Sequence, residues 1–306
     1  MNLKQVRLID PILSEVALGY KNAELVGDAL FPAVPVTASG GQVIEFGKEA
    51  FKLYSARRAP GSATRRITFG YAGKPFSLVQ DSLEGTVPRE HLRDALVVPG
   101  IDLGSRAVGN VMRALTLALE YEQAKLATTA GNYDTDHKIS VSGADKWSAD
   151  TSDPSKQIAA YREAVRASVG VYPNTLLLSA KAMAPLKQHP KLLDRIKYTG
   201  RDSLTTDILS NLWDIKKIVV GSAVFADDEG AMLDIWDNSA VLAYVPESSG
   251  GMEEPSYGYT YTMQGHPQVE QPYYDNNTKS WIYPITYERV PVLSGITSGF
   301  LIQTPA

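Results

Sequence analysis

The fold is decided by Val171–Gly200, "VYPNTLLLSAKAMAPLKQHPKLLDRIKYTG", read together with Leu204–Phe225, "LTTDILSNLWDIKKIVVGSAVF". "NTLLLS" is a short, unbroken apolar run, the signature of a strand buried on both faces. "AKAMAPLKQHP", "KLLDRIKYTG" and "LTTDILSNLWD" carry helical spacing, and "KKIVVGSAVF" reads as a second buried strand. The segment is therefore a β–α alternation. Pro185 falls inside the first helical pattern, where an interior proline costs about 3 kcal/mol, so that helix is expected to begin late or kink.

Upstream, "DPSKQIAAYREAVRASVG" is a helix with Asp153 or Ser155 as cap and Gly170 as stop. Before it, "IDLGSRAVGNVMRALTLALEYEQAKLATTAG" is the most helical segment of the chain. Val108, Val111, Met112, Leu115 and Leu119 form an apolar stripe, with Arg106, Arg113, Glu120 and Lys125 off it. Asp102 caps this helix and Gly131 stops it; about 26 residues at 1.5 Å each make a rod of roughly 40 Å. "PREHLRDALVVPG" is a shorter helix ended by Pro99-Gly100.

From Gly40 to Thr86 the texture is β, with "QVIEFG", "FKLYS", "RRITFGY" and "FSLVQ" punctuated by Gly and Pro. From Ala231 onward it is β again, in "AVLAYVP", "YGYTYTM", "SWIYPITYERV" and "GFLIQT". Residues 1–38 mix short helical patches with the extended "FPAVPV"; they have too few apolar residues for a core of their own and read as an arm.

Between two of the β runs lies "LYSARRAPGSATRRITFGY", Leu53–Tyr71, in which Arg57-Arg58 and Arg65-Arg66 flank a Pro-Gly-Ser tip with no acid between them. The chain as a whole has a formal net charge of −4. A flexible loop gains nothing from four clustered like charges, so these arginines are expected to meet an anionic partner. Guanidinium suits bidentate pairing with carboxylate or phosphate. The extended ribbon that carries them suits reaching over a neighbouring subunit, because a long polar hairpin needs a surface to lie on.

The remaining composition is that of an ordinary globular chain of 306 residues, 44% hydrophobic and 21% charged. Its acidic balance argues against a dedicated nucleic-acid binder. It lacks both a membrane-length apolar run and a signal-peptide layout, so a cytosolic origin is the default. Zero Cys excludes disulfides and thiolate metal sites. No G-x-G, phosphate loop, G-x-S-x-G or H-E-x-x-H is present. His91, His137, His189 and His266 are scattered and read as ordinary surface or partly buried histidines. Asp227-Asp228-Glu229 and Glu253-Glu254 sit beside Gly or Pro and read as solvated turns. Tyr257, Tyr259 and Tyr261 alternate onto one sheet face and read as cross-strand packing. Asp275-Asn276-Asn277 reads as a hairpin turn. No catalytic, cofactor or metal residues are expected.

Taken in order, these elements resemble the major capsid proteins of tailed bacteriophages, with the Hong Kong ninety-seven capsid fold and a texture closest to the Mu-like group. The resemblance covers almost the whole chain, through "ALFPAVPV", "RRAPGS", the long helix from Ile101 and the stretch quoted at the outset. It implies an α+β capsid fold divided into an N-terminal arm (1–38), an extended loop (39–86), a peripheral domain with a spine helix (87–160), an axial domain (161–270) and return strands of the peripheral domain (271–306). It implies self-assembly through hexamers and pentamers into an icosahedral shell around double-stranded DNA, held by non-specific contact. The shell would form in the host bacterial cytoplasm and end in the virion. Further implied partners are a portal and a separate scaffolding protein, the latter because the arm is short, with room for a decoration protein; no membrane and no cofactor enter. In this family the extended loop lies across an adjacent subunit, toward the outer surface, which makes Arg57, Arg58, Arg65 and Arg66 an inter-subunit clamp. Some relatives weld this loop to a neighbouring Asn through a Lys; Arg cannot do that chemistry, and Lys48, Lys52 and Lys74 lie nearer the loop's base. The alternatives are an encapsulin-type compartment of the same fold, or a small α/β hydrolase or transferase built on residues 154–245.

Overall fold

A computed structural model describes residues 10–18, 24–45, 57, 72–95, 102–197, 203–246 and 256–306. Helix α1 (Pro11–Leu18) starts on the Asp10 carboxylate, which accepts the Leu13 N–H at 3.0 Å. Strands β1 (Ala33–Val36) and β2 (Gly40–Glu45) follow, then β3 (Ala72–Ser77), β4 (Val79–Pro88) and helix α2 (Arg89–Ala95). The spine helix α3 (Leu103–Thr128) runs for 26 residues from its Asp102 cap, whose carboxylate accepts the N–H groups of Gly104 and Ser105. The Ser105 hydroxyl bond, with these N–H groups, holds the Asp102 pKa below its ordinary value.

After β5 (Lys138–Ser140), helix α4 (Pro154–Val169) is capped by Asp153 and closed by Gly170 at φ 73°. Strand β6 (Thr175–Ser179) leads into α5 (Ala180–Leu186), α6 (Pro190–Ile196), α7 (Thr206–Trp213) and β7 (Lys217–Gly221). Strands β8 (Val224–Ala226), β9 (Met232–Asp234), β10 (Ser239–Ala243), β11 (Gly258–Met263), β12 (Gln268–Val269) and β13 (Tyr273–Asp275) precede the long β14 (Ser280–Leu293) and β15 (Gly299–Gln303).

Two sheets organise the chain. The first has five strands in the order β5-β15-β10-β6-β7, with β6 and β7 parallel. Its faces separate at period two. Leu176, Leu178, Ala240, Leu242, Phe300 and Ile302 pack against α4, α5 and α7. Leu177, Val241, Ala243 and Leu301 face the other way, onto Leu30, Phe31, Ala124 and Trp236. Both faces are covered, which is why "NTLLLS" needs no polar alternation.

The second sheet runs β1-β11-β14-β12, with β4 and β13 also on β14. Strand β14 is its ruler, pairing with β4 from Ser280↔Pro88 to Arg289↔Val79 before passing to β11. The stripe Val108, Val111, Met112 and Leu115 of α3 lies on this sheet against Val269 and Ile285. Gly85 permits the approach, since a Cβ there would come 3.1 Å from that of Ala107.

Several expectations change. "KKIVVGSAVF" is not one strand: it breaks after Gly221, where a Cβ would meet the Trp236 ring at 2.3 Å, and continues as β8 in a separate hairpin. Helix α5 begins at once on the Ser179 hydroxyl, not late, and places Pro185 in its last turn, where few hydrogen bonds depend on it. The arm is part of the core, with Leu30 and Phe31 fully buried. Glu120, read as off the buried stripe, is only 2% exposed.

The strands do not follow the segments read from the sequence either. The cut at 160/161 falls within α4, and β11, inside 161–270, pairs with β14 of the second sheet. Strand β15, inside 271–306, is apolar on both faces and lies between β5 and β10 of the first.

Candidate assembly surface

Strands β2 and β3 form an antiparallel ribbon from Gly40↔Ser77 to Glu45↔Ala72, the root of the arginine-bearing segment. The ribbon is fixed where it meets the body. Phe76 stacks on Tyr261 at 4.2 Å between ring centroids, beside buried Val34, Val36, Val43 and Tyr259. Burial among these raises the Tyr261 pKa to about 12, so the ring stays neutral. At the start of the ribbon, Leu78 donates its N–H to Ser39 at 2.7 Å. Of the four predicted contact residues, Arg57 is exposed; Arg58, Arg65 and Arg66 lie outside the described residues, as do Glu253 and Glu254.

Two buried polar nodes brace the frame behind this ribbon, and neither was read from the sequence. Glu120 on α3 accepts the Val26 and Gly27 N–H groups, at 3.1 and 2.8 Å, and the Trp236 indole N–H at 2.6 Å. Burial raises its pKa against the pull of these three donors. One carboxylate thus ties the arm, the spine and the first sheet together.

Arg289 on β14 is the other node, with a side chain 0% exposed. It reaches Asp81 of β4 at 3.0 Å, Glu122 of α3 at 3.1 Å and the Leu115 carbonyl at 3.2 Å. The signal for both nodes lay in charged residues amid apolar neighbours, but either could equally have faced solvent.

Several of the chemistry-bearing residues have partners within the fold. His137 and His189 are more buried than expected. His137 Nδ1 lies 2.6 Å from Asp134, and His189 Nε2 lies 3.0 Å from the Ser152 hydroxyl. His266 Nδ1 accepts the Glu288 N–H at 3.2 Å, and His91 is exposed. Asp227 caps its own turn, and the Asp275 carboxylate accepts the Asn277 and Thr278 N–H groups in the turn before β14. Tyr257, Tyr259 and Tyr261 are buried packing residues, Tyr257 sharing a hydroxyl bond with Tyr133. Among the described residues no group of three His, Cys, Asp or Glu could hold a metal ion. No helix there is long and apolar enough to cross a membrane. A cleft of about 320 Å³ between α4 and α7 is lined by Lys156, Arg162 and Arg195, with Arg162 spent on the Trp213 and Asp214 carbonyls.

One long helix thus contacts both large sheets, and the β2–β3 ribbon packs on the second through Phe76. The family model described as phage major capsid protein E matches residues 120–251. The major capsid protein of Burkholderia phage BcepMu is 35% identical over 305 residues, covering 98% of each chain. The crystal structure of a phage-related protein from Bordetella bronchiseptica RB50 matches with a TM-score of 0.85 at 48% identity, over 98% of each chain. The capsid of cyanophage P-SCSP1u, 11% identical, matches 93% of this chain and 89% of its own with a TM-score of 0.58, a likeness of fold. The chain belongs to the phage major capsid proteins, of the Mu-like kind, and its fold is the Hong Kong ninety-seven capsid fold.

Proposed function

We propose that this major capsid protein assembles into hexamers and pentamers of an icosahedral shell that encloses double-stranded phage DNA. The end-to-end match to a phage major capsid protein carries this reading. It also favours a phage head over an encapsulin-type compartment, which shares the fold but not this sequence kinship. The five-stranded sheet with α4–α7 is the axial unit, pointing to the shell's symmetry axes. The six-stranded sheet with α3 is the peripheral unit. Residues 39–86 are the extended-loop segment, and Arg57, Arg58, Arg65 and Arg66 within it hold carboxylates of a neighbouring subunit. A scaffolding protein and a portal act during assembly in the host bacterial cytoplasm, and the role is structural rather than catalytic. Negative-stain microscopy of the purified protein, alone and with the co-expressed scaffolding protein, tests the reading. Closed shells are expected; a monodisperse monomer under both conditions would refute it.

A further inference from the structure

Strands β8 and β9 form a two-stranded hairpin that joins neither large sheet. Opposed residues share a face, so Phe225 and Leu233 point one way, and Val224, Ala226, Met232 and Asp234 the other. The first face meets the spine through Phe225, whose ring lies edge-on to Tyr121 at 5.0 Å, while Leu233 beside it stays 44% exposed. The second face is open: Met232 is 66% and Val224 39% exposed, with Ala226 exposed between them. An isolated hairpin is marginal in water, and contiguous exposed apolar groups mark a contact surface.

The hairpin's tip adds charge to this surface. Asp227 turns its carboxylate inward, accepting the Glu229 and Ala231 N–H groups at 3.0 and 2.8 Å. Asp228 and Glu229 remain exposed beside it. The surface is thus three apolar residues beside the Asp234–Lys181 ion pair, ending in two outward carboxylates.

We propose that this hairpin face seats residues 53–71 of a second copy of the chain. The segment has the complementary chemistry: Leu53, Tyr54, Ile67, Phe69 and Tyr71 bracket Arg57, Arg58, Arg65 and Arg66, with no acid among them. The apolar residues cover Val224, Ala226 and Met232, and the guanidinium groups pair with Asp228 and Glu229, an interaction that Arg geometry favours. The reach is sufficient. Residues 46–71 join Glu45 to Ala72, a length of chain that at full extension reaches at most roughly 40 Å out and back. This inference rests on the shell reading, which supplies the adjoining copy, and names the surface that receives the loop.

Because the chain has no cysteine, introduced thiols report this contact without background. Ile67→Cys and Met232→Cys proteins are made separately, mixed, assembled and oxidised. The expected product is a disulfide peptide joining positions 67 and 232, found in mixed shells only. Mixed shells without that peptide would overturn the seat while leaving the shell reading intact; wild-type protein that forms no shells would remove the shell reading itself. A second arm keeps the test decisive if either thiol variant fails to assemble. Asp228→Arg with Glu229→Arg, and Arg57→Glu with Arg65→Glu, should each lower shell yield about tenfold, and co-assembly of the two should restore it. Hairpin reversal without loss, or losses that are not mutually restored, would overturn the proposal.

Discussion

Trp236 donates its indole N–H to Glu120 at 2.6 Å, joining the turn before β10 to the middle of the spine helix. The same carboxylate holds the Val26 and Gly27 N–H groups. Removing it strands three donors in a buried site, and each unmade bond costs about 1–3 kcal/mol. Glu120→Ala is therefore expected to destabilise the unassembled subunit by about 3 kcal/mol or more. Glu120→Gln also costs stability, because one amide cannot accept from both sides of the site. Urea melts of the three proteins test this; an unchanged midpoint in Glu120→Ala would show that the node bears no load.

Burial raises the Glu120 pKa above its ordinary 4.5, with Asp28 adding repulsion. The folded state therefore holds this proton more tightly than the unfolded chain. Its contribution to stability is fully present below pH 4.5 and is lost as pH rises through the raised value. Gln does not titrate. The advantage of wild type over Glu120→Gln should accordingly grow as pH falls from neutrality toward 4.5. Urea midpoints of both proteins across that range check the sign, and a shrinking difference would contradict it.

The helices were legible because their signals are local: the caps Asp102 and Asp153, the left-handed Gly170 and the apolar stripe of α3. "NTLLLS" announced a two-faced strand for the same reason. Glu120 was not legible, because what covers it is the backbone at Val26 and Gly27, far upstream. Arg289 likewise owes its burial to Asp81 and Glu122, brought together only by the pairing of β14 with β4 and α3. The break in "KKIVVGSAVF" depends on the Trp236 ring lying over Gly221, another distant contact.

Two glycines on opposite sides of this logic give a paired prediction. A Cβ at Gly27 would lie 2.0 Å from Gln123 Oε1 and 2.8 Å from Glu120 Oε2. Gln123 cannot easily withdraw, since its Nε2 donates to the buried Thr260 hydroxyl at 2.9 Å. Gly27→Ala is expected to cost about 1–3 kcal/mol. At Gly109, within α3, nothing lies within 4 Å of an added Cβ. Gly109→Ala should stabilise the unassembled subunit by about 0.4–1 kcal/mol through its helical preference. Thermal melts should move in opposite directions.

Arg289 bridges Asp81 and Glu122 from a fully buried position, with its guanidinium 5.1 Å from the Tyr287 ring. Arg289→Met keeps most of the volume but leaves both carboxylates without their cation. Since the Asp81 and Glu122 side chains are 34% and 47% exposed, water can take them over in part. The expected loss is about 2–3 kcal/mol, toward the lower end for a broken buried pair. Asp81→Asn alone should cost about 1 kcal/mol or less. A double-mutant cycle between the two positions measures the coupling, and additive losses would show that the contact carries none.

Arg57, exposed in the subunit, and Arg65 test whether the loop acts between subunits or on DNA. Single exposed ion pairs contribute about 0–1 kcal/mol, so one reversal alone is a weak probe. In a symmetric shell the same contact recurs at every equivalent interface, so small losses accumulate over the particle. Salt cannot separate the two targets, because both interactions are screened. Assembly without nucleic acid can. Arg57→Glu combined with Arg65→Glu should reduce or abolish empty shells while leaving the subunit's thermal melt unchanged. Sedimentation after nuclease treatment measures the shells. Normal empty shells from the double variant, together with poor DNA retention, would assign the arginines to the packaged genome instead.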